Sequence, residues 1–209
     1  MSELDQARAL YPRVSDIINK QNHTELRQIP LEHLVEASIR GTAVHNYCNI
    51  YLKGLWMGEI EQEYKPYVDA FIEWTEKNVE EVVHTSTRLY DDQKKFTGEF
   101  DLIVKLKHSK DVVLVDIKTS AKPSKAWPIQ LSAYKHLLDV NGYKGITKVF
   151  NLHLKKVKAA IYEKREEEKV LVSPPLIQSV QIEHTNLTHY WEIFSSALSC
   201  YDYFERKEV

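Results

Sequence analysis

Hydrophobic residues follow strand spacing in the middle of the chain and helical spacing on either side of it. The stretch Phe96–Leu106 alternates apolar and polar positions, which predicts a β-strand with one buried face. The stretch Asp111–Lys118 is denser in valine and leucine, as in a strand buried on both faces. The polar segment Lys107–Lys110 between them is short enough to close a hairpin, so the two strands are predicted to pair directly.

The register of this hairpin follows from the length of its turn. If the two central turn residues form a two-residue loop, Leu102 faces Val115 and Asp101 faces Asp116. Directly opposed residues share a face of the sheet, with Cβ atoms roughly 5 Å apart. Lys118, two residues beyond Asp116, points to the same face. The register that pairs apolar with apolar residues therefore also pairs two carboxylates beside one ammonium group.

Two neighbouring carboxylates on a half-buried sheet repel each other, so a stable fold needs a compensating positive charge. Mg²⁺ or Mn²⁺ can provide it, because these ions take hard oxygen ligands, often one or two carboxylates together with water and substrate phosphate. Lys118 could then orient an attacking water, or stabilise the charge that develops on phosphorus. The alternative is a surface hairpin whose Asp and Lys side chains form an ordinary solvated ion pair.

Helical periodicity surrounds this hairpin. It predicts helices at Leu31–Leu52, at Ile60–Lys77, from Ala126 to the stop signal Asp139–Gly142, and at Leu187–Phe204, with a short helix after Leu10 that has Ser15 as its N-cap. Further strands are predicted at Val79–Ser86, Lys148–Leu154 and Lys158–Ile161. The charged run Glu163–Lys169 predicts a solvated turn or frayed helix, and Val170–Ile182, with two prolines, an irregular segment. Together these elements predict an α/β fold, a small mixed β-sheet flanked by helices, with the candidate site at one edge.

Two pairs of helical residues extend the candidate site. Gln130 and Tyr134 are four residues apart, so they lie on one face of a helix that must pack beside the strand ending at Lys118. An amide and a phenol can thereby reach the same cleft, and both can bind phosphate oxygens. On the first long helix, Gly41 and His45 have the same spacing. Glycine costs about 1 kcal/mol in a helix interior, so Gly41 is predicted to permit close backbone approach.

These elements resemble the signature of the PD-(D/E)XK nuclease superfamily, and two of them point to its RecB-like exonuclease branch. The resemblance rests on four motifs, Gly41-x-x-x-His45, Gly98-x-x-Asp101, Asp116-x-Lys118 and Gln130-x-x-x-Tyr134. It spans Arg40–Tyr134, just under half the chain. It implies a restriction-endonuclease-like core and a metal-dependent DNA exonuclease, which acts on single-stranded ends in DNA repair, recombination or phage DNA processing.

The resemblance also implies roles for individual residues. The implied ligands of one Mg²⁺ or Mn²⁺ ion are His45, Asp101, Asp116 and the backbone carbonyl of Ile117. Lys118 would orient the attacking water, which the ion makes more acidic. Gln130 and Tyr134 would steady the substrate backbone. For His45 considered alone, an ordinary hydrogen-bonded histidine is the alternative to a ligand.

Four further residues are candidates around this site. RecB-like proteins often carry a glutamate near the start of the first strand, and Glu80 fits as an accessory acid, with a solvated strand-edge charge as the alternative. Arg40 is a candidate for contact with DNA phosphate, and an ion pair with Glu36 one turn earlier is equally compatible with the sequence. Lys122 and Lys125, in the connection after the catalytic strand, are candidates for further phosphate contacts.

Composition limits the organisation of the chain. A chain of 209 residues with 43% hydrophobic content can bury one good core, which predicts a single domain. We expect a helical N-terminal part at about 1–78, a catalytic core at about 79–162 and a closing helix at about 185–206. The net charge of −2 provides no global attraction to nucleic acid, so DNA binding must depend on a local basic surface.

Several classes of protein are not expected. The chain opens without an apolar signal core, and no segment approaches the roughly 20 apolar residues of a membrane span. Its two cysteines, Cys48 and Cys200, cannot hold the four-cysteine iron–sulfur cluster of some RecB-like proteins. A reducing cytoplasm is the simplest setting for such a chain.

Two other functions compete with the exonuclease. A sequence- or structure-specific endonuclease on the same fold would need recognition elements, usually on a dimer, and no recognition insert is evident in this short chain. A non-catalytic protein that binds nucleic-acid ends or assists assembly commonly loses the Asp or Lys of the signature. Here all of these residues are present, which favours catalysis.

Overall fold

The computed structural model describes residues 3–21, 27–165 and 168–205. Its helices are α1 Glu3–Arg8, α2 Val14–Gln21, α3 Leu31–Leu52, α4 Lys65–Asn78, α5 Ala126–Val140 and α6 Leu187–Phe204. Its strands are β1 Val79–Asp91, β2 Phe96–Leu106, β3 Val112–Lys118, β4 Ile146–Lys158, β5 Ile161–Arg165, β6 Glu168–Ser173 and β7 Leu176–Glu183. The predicted bounds of α3, β2 and α6 are confirmed without change.

Five strands form one mixed sheet in the order β1-β2-β3-β4-β7. β3 and β4 are parallel, and the other neighbours in this sheet are antiparallel. A parallel pair needs a long crossover connection, and α5 lies in the crossover between β3 and β4. The predicted α/β fold, a small mixed sheet flanked by helices, is confirmed and is consistent with a restriction-endonuclease-like core.

Apolar side chains cover both faces of this sheet. On one face α2, α5 and α6 contribute to a cluster that includes Ile17, Phe96, Leu114, Leu131 and Phe194. On the other face α3 and α4 contribute to a cluster that includes Val44, Phe71, Leu102, Val115 and Leu152. β3 supplies residues to both clusters, which explains why its sequence is apolar at consecutive positions. Among the described residues, no helix is long and apolar enough to cross a membrane.

The β2–β3 hairpin has the predicted register but a longer loop. Leu102 lies opposite Val115, as the apolar pattern predicts. The backbone N–H of Leu106 donates to the carbonyl of Asp111 at 2.9 Å, which leaves four residues in the loop instead of two. The last of them, Lys110, has a φ of 60°, in the left-handed region. Lengthening the loop at both ends leaves the pairing of the strands unchanged.

β2 and β3 separate at the candidate acids. The pairing of β2 with β3 begins at Leu102, whereas its pairing with β1 continues back to Phe96. Phe100 packs in the α5–α6 cluster and Leu102 in the α3–α4 cluster, so the predicted alternation breaks at Asp101. Asp101 Oδ2 accepts a hydrogen bond from the Ile117 N–H at 2.6 Å. This carboxylate thereby replaces a backbone partner where the strands diverge.

Helix starts differ from the prediction at two places. α4 begins at Lys65, five residues after the predicted start, with a proline in its first turn. α2 begins at Val14, so Ser15 lies inside the helix and is not its N-cap. Asp16 Oδ2 instead accepts a hydrogen bond from the N–H of Arg13 at 3.3 Å.

The C-terminal third contains more strand than the sequence predicts. β4 continues to Lys158, so the short strand predicted at 158–161 is wrong. β5 and β6 form a hairpin in place of the predicted turn or frayed helix at 163–169, of which residues 166–167 lie outside the described structure. β7 pairs along β4 in the segment predicted to be irregular. The two prolines fall in the β6–β7 connection, where they cost no strand hydrogen bond.

Asp91 stabilises the turn that follows β1. It is 5% exposed, and its Oδ1 accepts hydrogen bonds from the N–H groups of Gln93 and Lys94 at 2.9 Å. Its Oδ2 lies 2.7 Å from His136 Nε2. Burial alone would raise the pKa of Asp91, but these partners outweigh burial and lower it. The turn therefore depends on an ionised carboxylate.

Replacing Asp91 by asparagine should lower the free energy of unfolding by about 1–2 kcal/mol at neutral pH, because a charged acceptor is lost. The folded-state pKa lies below the unfolded one, so this contribution is fully present above about pH 3.9 and is lost as the pH falls through the folded value. Urea unfolding of wild type and Asp91→Asn across this range measures the difference. Asp92→Asn, which breaks an exposed pair with Arg8, is the control and should change stability by less than about 0.5 kcal/mol. Equal effects of the two substitutions would contradict the role of Asp91.

Candidate active site

A cleft of about 580 Å³ opens between α3, the point where β2 and β3 diverge, and α5. Its walls include the six side chains that the sequence predicts as metal ligands or catalytic residues, namely His45, Asp101, Asp116, Lys118, Gln130 and Tyr134. The backbone of Ile117 also lines it. Residues from four separate elements thus converge on one space, as the predicted register and helix faces require.

His45 lies between the groups predicted to share an ion. Its Nε2 lies 2.9 Å from the Ile117 carbonyl oxygen, and its Nδ1 lies 3.2 Å from Asp101 Oδ1. A carbonyl oxygen can only accept, so Nε2 carries a proton and donates it. Burial by itself lowers the pKa of His45, but the Asp101 carboxylate outweighs burial and the pKa is raised. Three of the four predicted ligands are therefore already in direct contact.

Asp101 has a partner at each carboxylate oxygen. Oδ2 accepts from the Ile117 N–H, and Oδ1 faces His45. Burial alone would raise the pKa of Asp101, but its neighbours, first of all His45, outweigh burial and lower it. Asp101 is therefore ionised at neutral pH, as a carboxylate must be to bind a cation.

Asp116 is deeply buried and differs electrostatically from Asp101. It is 2% exposed, and its Oδ2 lies 2.8 Å from Lys118 Nζ and 2.6 Å from Asn151 Nδ2. Burial raises the pKa of Asp116 and Lys118 opposes this, but the neighbouring Asp101 adds to burial and the pKa is raised. Two carboxylates in one cleft thus have pKa values shifted in opposite directions, an arrangement typical of functional sites.

Lys118, Gln130 and Tyr134 form a continuous hydrogen-bonded chain along the cleft. Lys118 Nζ donates to Gln130 Oε1 at 2.7 Å, and Gln130 Nε2 donates to the Tyr134 hydroxyl at 2.9 Å. Burial, and then the nearby acids, raise the pKa of Tyr134 well above its ordinary value. The phenol therefore stays protonated and has a proton that it can donate to a phosphate oxygen.

The donor chemistry of the cleft fits a hard divalent cation. Two carboxylates, the Ile117 carbonyl and the His45 imidazole suit Mg²⁺ or Mn²⁺, with water and phosphate at the remaining positions. Within the described part of the chain, no three His, Cys, Asp or Glu side chains form a preassembled metal cage. Both ring nitrogens of His45 are engaged, by Asp101 and by the Ile117 carbonyl, so His45 could bind an ion only after exchanging one of these partners. Which ion binds stays a prediction.

Glu80 does not reach the cleft, which corrects its prediction as an accessory acid. Its carboxylate pairs with Lys110 at 2.8 Å and with Lys105 at 3.6 Å, near the turn of the hairpin. Lys105 lies four positions, roughly 13 Å, along β2 from Asp101. The two lysines hold Glu80 at that end of the sheet because they supply its counter-charge.

Glu99 lines the cleft, although no motif of the sequence singles it out. It precedes Asp101 by two residues in β2, so the strand period that identifies Asp101 could also have identified Glu99. Its Oε1 accepts a hydrogen bond from the Ser86 hydroxyl at 2.6 Å, and its Oε2 pairs with Arg88 at 2.7 Å. Glu99 is thus the further acid that the fold brings to this site.

Arg40 is directed towards the catalytic strand. Its Nη2 donates to the Thr119 carbonyl at 3.4 Å, and its guanidinium carbon lies 5.8 Å from the ring centre of Tyr67. Among the described residues no ion pair joins Arg40 to Glu36, so that alternative is wrong. Its buried Nε has no hydrogen-bond partner among the described residues, and Arg40 lines a different cavity from the cleft.

A second cavity of about 350 Å³ continues the cleft along the connection between β3 and α5. It shares Lys118 and Gln130 with the cleft and is also lined by Ser120 and Trp127. Lys122 and Lys125 lie in this connection with exposed side chains, although neither is part of the cavity wall. Contact of these two lysines with phosphate stays a prediction.

Gly98 is required by the packing of α5 against β2. It lies within β2 and its φ is not in the left-handed region, so glycine is not needed there for its backbone conformation. A Cβ at Gly98 would lie 2.8 Å from Tyr134 Cε1 and 2.9 Å from Leu137 Cδ1. A Cβ at Gly41 would meet only Thr119 Oγ1, at 3.8 Å. The close approach predicted at Gly41 is therefore found at Gly98.

Gly98→Ala should lower the free energy of unfolding by about 1–3 kcal/mol, because the added methyl group forces Tyr134 to move. Gly41→Ala is the matched control and should leave stability unchanged or raise it by up to about 1 kcal/mol, since alanine is the better helix former. Thermal unfolding of both variants measures the difference. Equal melting temperatures would contradict the crowding at Gly98.

Comparison with known proteins finds one family that matches this chain. A model of the PD-(D/E)XK nuclease superfamily matches residues 8–199. The crystal structure of SSO0001 matches 90% of this chain and 75% of that chain, with 14% sequence identity and a TM-score of 0.39. No curated protein gives a significant match.

Proposed function

The chain belongs to the PD-(D/E)XK nuclease superfamily, and on that basis we propose that it is a Mg²⁺- or Mn²⁺-dependent DNA exonuclease of the RecB-like branch. The superfamily implies a nucleic-acid substrate and nuclease chemistry. The finer assignment, hydrolysis of phosphodiester bonds at single-stranded ends, depends on the Gly41–His45 and Gln130–Tyr134 motifs. DNA repair, recombination or phage DNA processing is the proposed setting.

The observation that carries this proposal is the shared cleft. Its two acids, His45, Lys118 and the Gln130–Tyr134 pair lie on four elements, yet direct contacts of 2.6–3.2 Å link them into two groups. One group contains Asp101, His45 and the backbone of Ile117, and the other contains Lys118 and its partners. A surface hairpin with a solvated ion pair would not require a buried acid or partners from two helices. The arrangement supports a reaction centre.

Each side chain has a proposed task. A bound Mg²⁺ or Mn²⁺ would make water more acidic and neutralise charge on the phosphate. His45, Asp101, Asp116 and the Ile117 carbonyl would hold the ion. The Lys118 ammonium, beside both Asp116 and Gln130, would orient the attacking water and stabilise charge that develops on phosphorus.

The remaining residues would bind the substrate backbone. The neutral Tyr134 phenol and the Gln130 amide can hydrogen-bond phosphate oxygens and so hold the scissile bond in place. The second cavity suggests a path for the strand past Lys122 and Lys125. Arg40, which contacts the Thr119 carbonyl just after β3, would provide a further phosphate contact. These local cations supply the basic surface that the net charge of the chain does not.

The decisive experiment follows degradation of end-labelled DNA. Linear single-stranded and double-stranded DNA, RNA, and covalently closed single-stranded circles are incubated with Mg²⁺, Mn²⁺ or EDTA. We expect linear single-stranded DNA to be shortened from its ends with either ion, circles to persist, and EDTA to abolish the reaction. Asp116→Ala should be inactive under all conditions.

Each alternative result of this experiment would indicate a different function. Cleavage of the circles would indicate an endonuclease. Binding of ends without cleavage in either ion would indicate a non-catalytic end-binding protein. Degradation of RNA alone would change the substrate class. Digestion by Asp116→Ala and Lys118→Ala at the wild-type rate would place the activity outside this cleft.

A further inference from the structure

Asn151 connects the candidate active site to a histidine on the far side of β4. It lies beside Asp116 in the parallel pairing of β3 and β4, and it is fully buried. Its Nδ2 donates to Asp116 Oδ2 at 2.6 Å. Its Oδ1 lies 2.8 Å from Nε2 of His184, the residue that follows β7. No motif of the sequence includes either residue.

The direction of each hydrogen bond between Asp116, Asn151 and His184 follows from which atoms can donate a proton. If the amide were rotated by 180°, its oxygen would lie against the Asp116 carboxylate, and two acceptors would repel each other. The amide nitrogen of Asn151 therefore faces Asp116, and its oxygen faces His184. That oxygen can only accept, so His184 Nε2 carries a proton. Burial lowers the pKa of His184, so at neutral pH the ring is uncharged and this proton defines its tautomer.

The hydrogen bonds to Asp116 are both made to one of its two carboxylate oxygens. Oδ2 accepts from both Lys118 Nζ and Asn151 Nδ2, and within the described residues these are its hydrogen-bond and ion-pair partners. Two donors on the same oxygen restrict the rotation of the carboxylate, and the second oxygen is left for another ligand. The donor from Lys118 is on a long flexible side chain, whereas Asn151 is rigidly buried. Asn151 is therefore the firmer of the two supports.

We propose that Asn151 is a positioning residue, whose amide holds Asp116 Oδ2 so that the other carboxylate oxygen is presented to a divalent cation, and that His184 holds the amide in turn. This inference rests on the proposed function, because it assumes that Asp116 binds the ion. It differs from a purely structural role, in which Asn151 would only satisfy buried polar groups. A structural role predicts lost stability with unchanged affinity for the ion.

The test measures Mn²⁺ binding by titration calorimetry and by the electron paramagnetic resonance of free Mn²⁺, without DNA. Asn151→Ala should bind Mn²⁺ about 10–100-fold more weakly than wild type. In the DNA assay its kcat should fall while KM for DNA is unchanged. Asn78→Ala is the matched control, because its amide also donates to a buried partner, the Trp74 carbonyl, but far from the cleft. The control should bind Mn²⁺ like wild type.

A second pair of variants keeps the test informative if Asn151→Ala does not fold. His184 is only half-buried, so substitutions there are better tolerated. His184→Ala removes the donor to Asn151 and should weaken Mn²⁺ binding by about 3–10-fold. His184→Gln keeps an N–H at a similar distance and should restore binding to within about twofold of wild type. Rescue by glutamine is not expected from packing alone.

The outcomes separate this inference from the proposed function. Wild-type affinity for Mn²⁺ in a folded Asn151→Ala variant would overturn the positioning role. Equal affinities of wild type, His184→Ala and His184→Gln would overturn the role of His184. Absence of Mn²⁺ binding to wild type would overturn both. If wild type binds Mn²⁺ but hydrolyses no DNA, the proposed function fails, and the affinities of the variants still decide whether Asn151 positions Asp116.

Discussion

Replacement of Lys118 by alanine is expected to slow DNA hydrolysis by about 10²–10⁴-fold. The Lys118 ammonium is the cation of this chain that lies within 2.8 Å of Asp116 and also reaches the Gln130–Tyr134 pair. Its removal takes away the group that we propose to orient the attacking water and to stabilise the developing charge. Initial rates on end-labelled single-stranded DNA with Mn²⁺ measure the loss.

The control for Lys118→Ala is Lys148→Ala. Lys148 also pairs with a carboxylate, Asp111, at 2.7 Å, but outside the cleft. The Lys148→Ala variant should therefore digest DNA at the wild-type rate. Circular dichroism of both variants is needed, because loss of Lys118 leaves the buried charge of Asp116 with a weaker set of partners. A folded Lys118→Ala variant that digests DNA at the wild-type rate would exclude the proposed reaction centre.

Saturating Mn²⁺ is expected to raise the melting temperature of the wild-type protein by roughly 5–10 °C. An ion that binds only the folded state at about 100 times its Kd adds about 2.7 kcal/mol. For a chain of this size, each kcal/mol shifts the melting temperature by about 2–4 °C. The expected effect has a direct electrostatic origin, since the ion would compensate two carboxylates in one cleft. Thermal unfolding in Mn²⁺ and in EDTA measures it without any substrate.

The combined substitution Asp101→Ala and Asp116→Ala should abolish this shift. The matched control is Asp69→Ala with Asp139→Ala, which removes the same number of acids from exposed helical ion pairs. The control should keep the full shift. A shift that persists in the cleft variant, or that is lost in the control, would place the ion elsewhere.

Much of the fold could be predicted from the local spacing of hydrophobic residues. The helical period identified α3 and α6 to the residue, and the alternation in β2 placed Leu102 opposite Val115. The pattern was informative because α3 and α6 each pack one face into a core cluster, and β2 keeps the strand period from Leu102 to Leu106. The β5–β6 hairpin and β7 were missed for the opposite reason. These strands depend on pairing with each other or with β4, which no local period records, and β7 has no fully buried side chain.

The candidate site, like the fold, could be predicted from the sequence only in part. The strand period tied Asp101 to Asp116 and Lys118, and the helical spacing tied Gln130 to Tyr134, so the chemical groups of the cleft could be named from the sequence. Glu80 was assigned to the cleft by analogy with RecB-like proteins. Its lysine partners lie at the other end of the sheet, so the position of a residue along a strand matters as much as the face on which it lies.

The sequence by itself determined which groups face in a common direction within each element, because backbone geometry repeats every two or 3.6 residues. Only the tertiary structure decided which atoms meet between elements. The contact of His45 with Asp101 depends on how α3 packs on the sheet, and the support of Asp116 by Asn151 depends on parallel pairing across a helix of fifteen residues. Such contacts join distant segments, so they are fixed by packing and pairing, which leave no periodic trace in the chain.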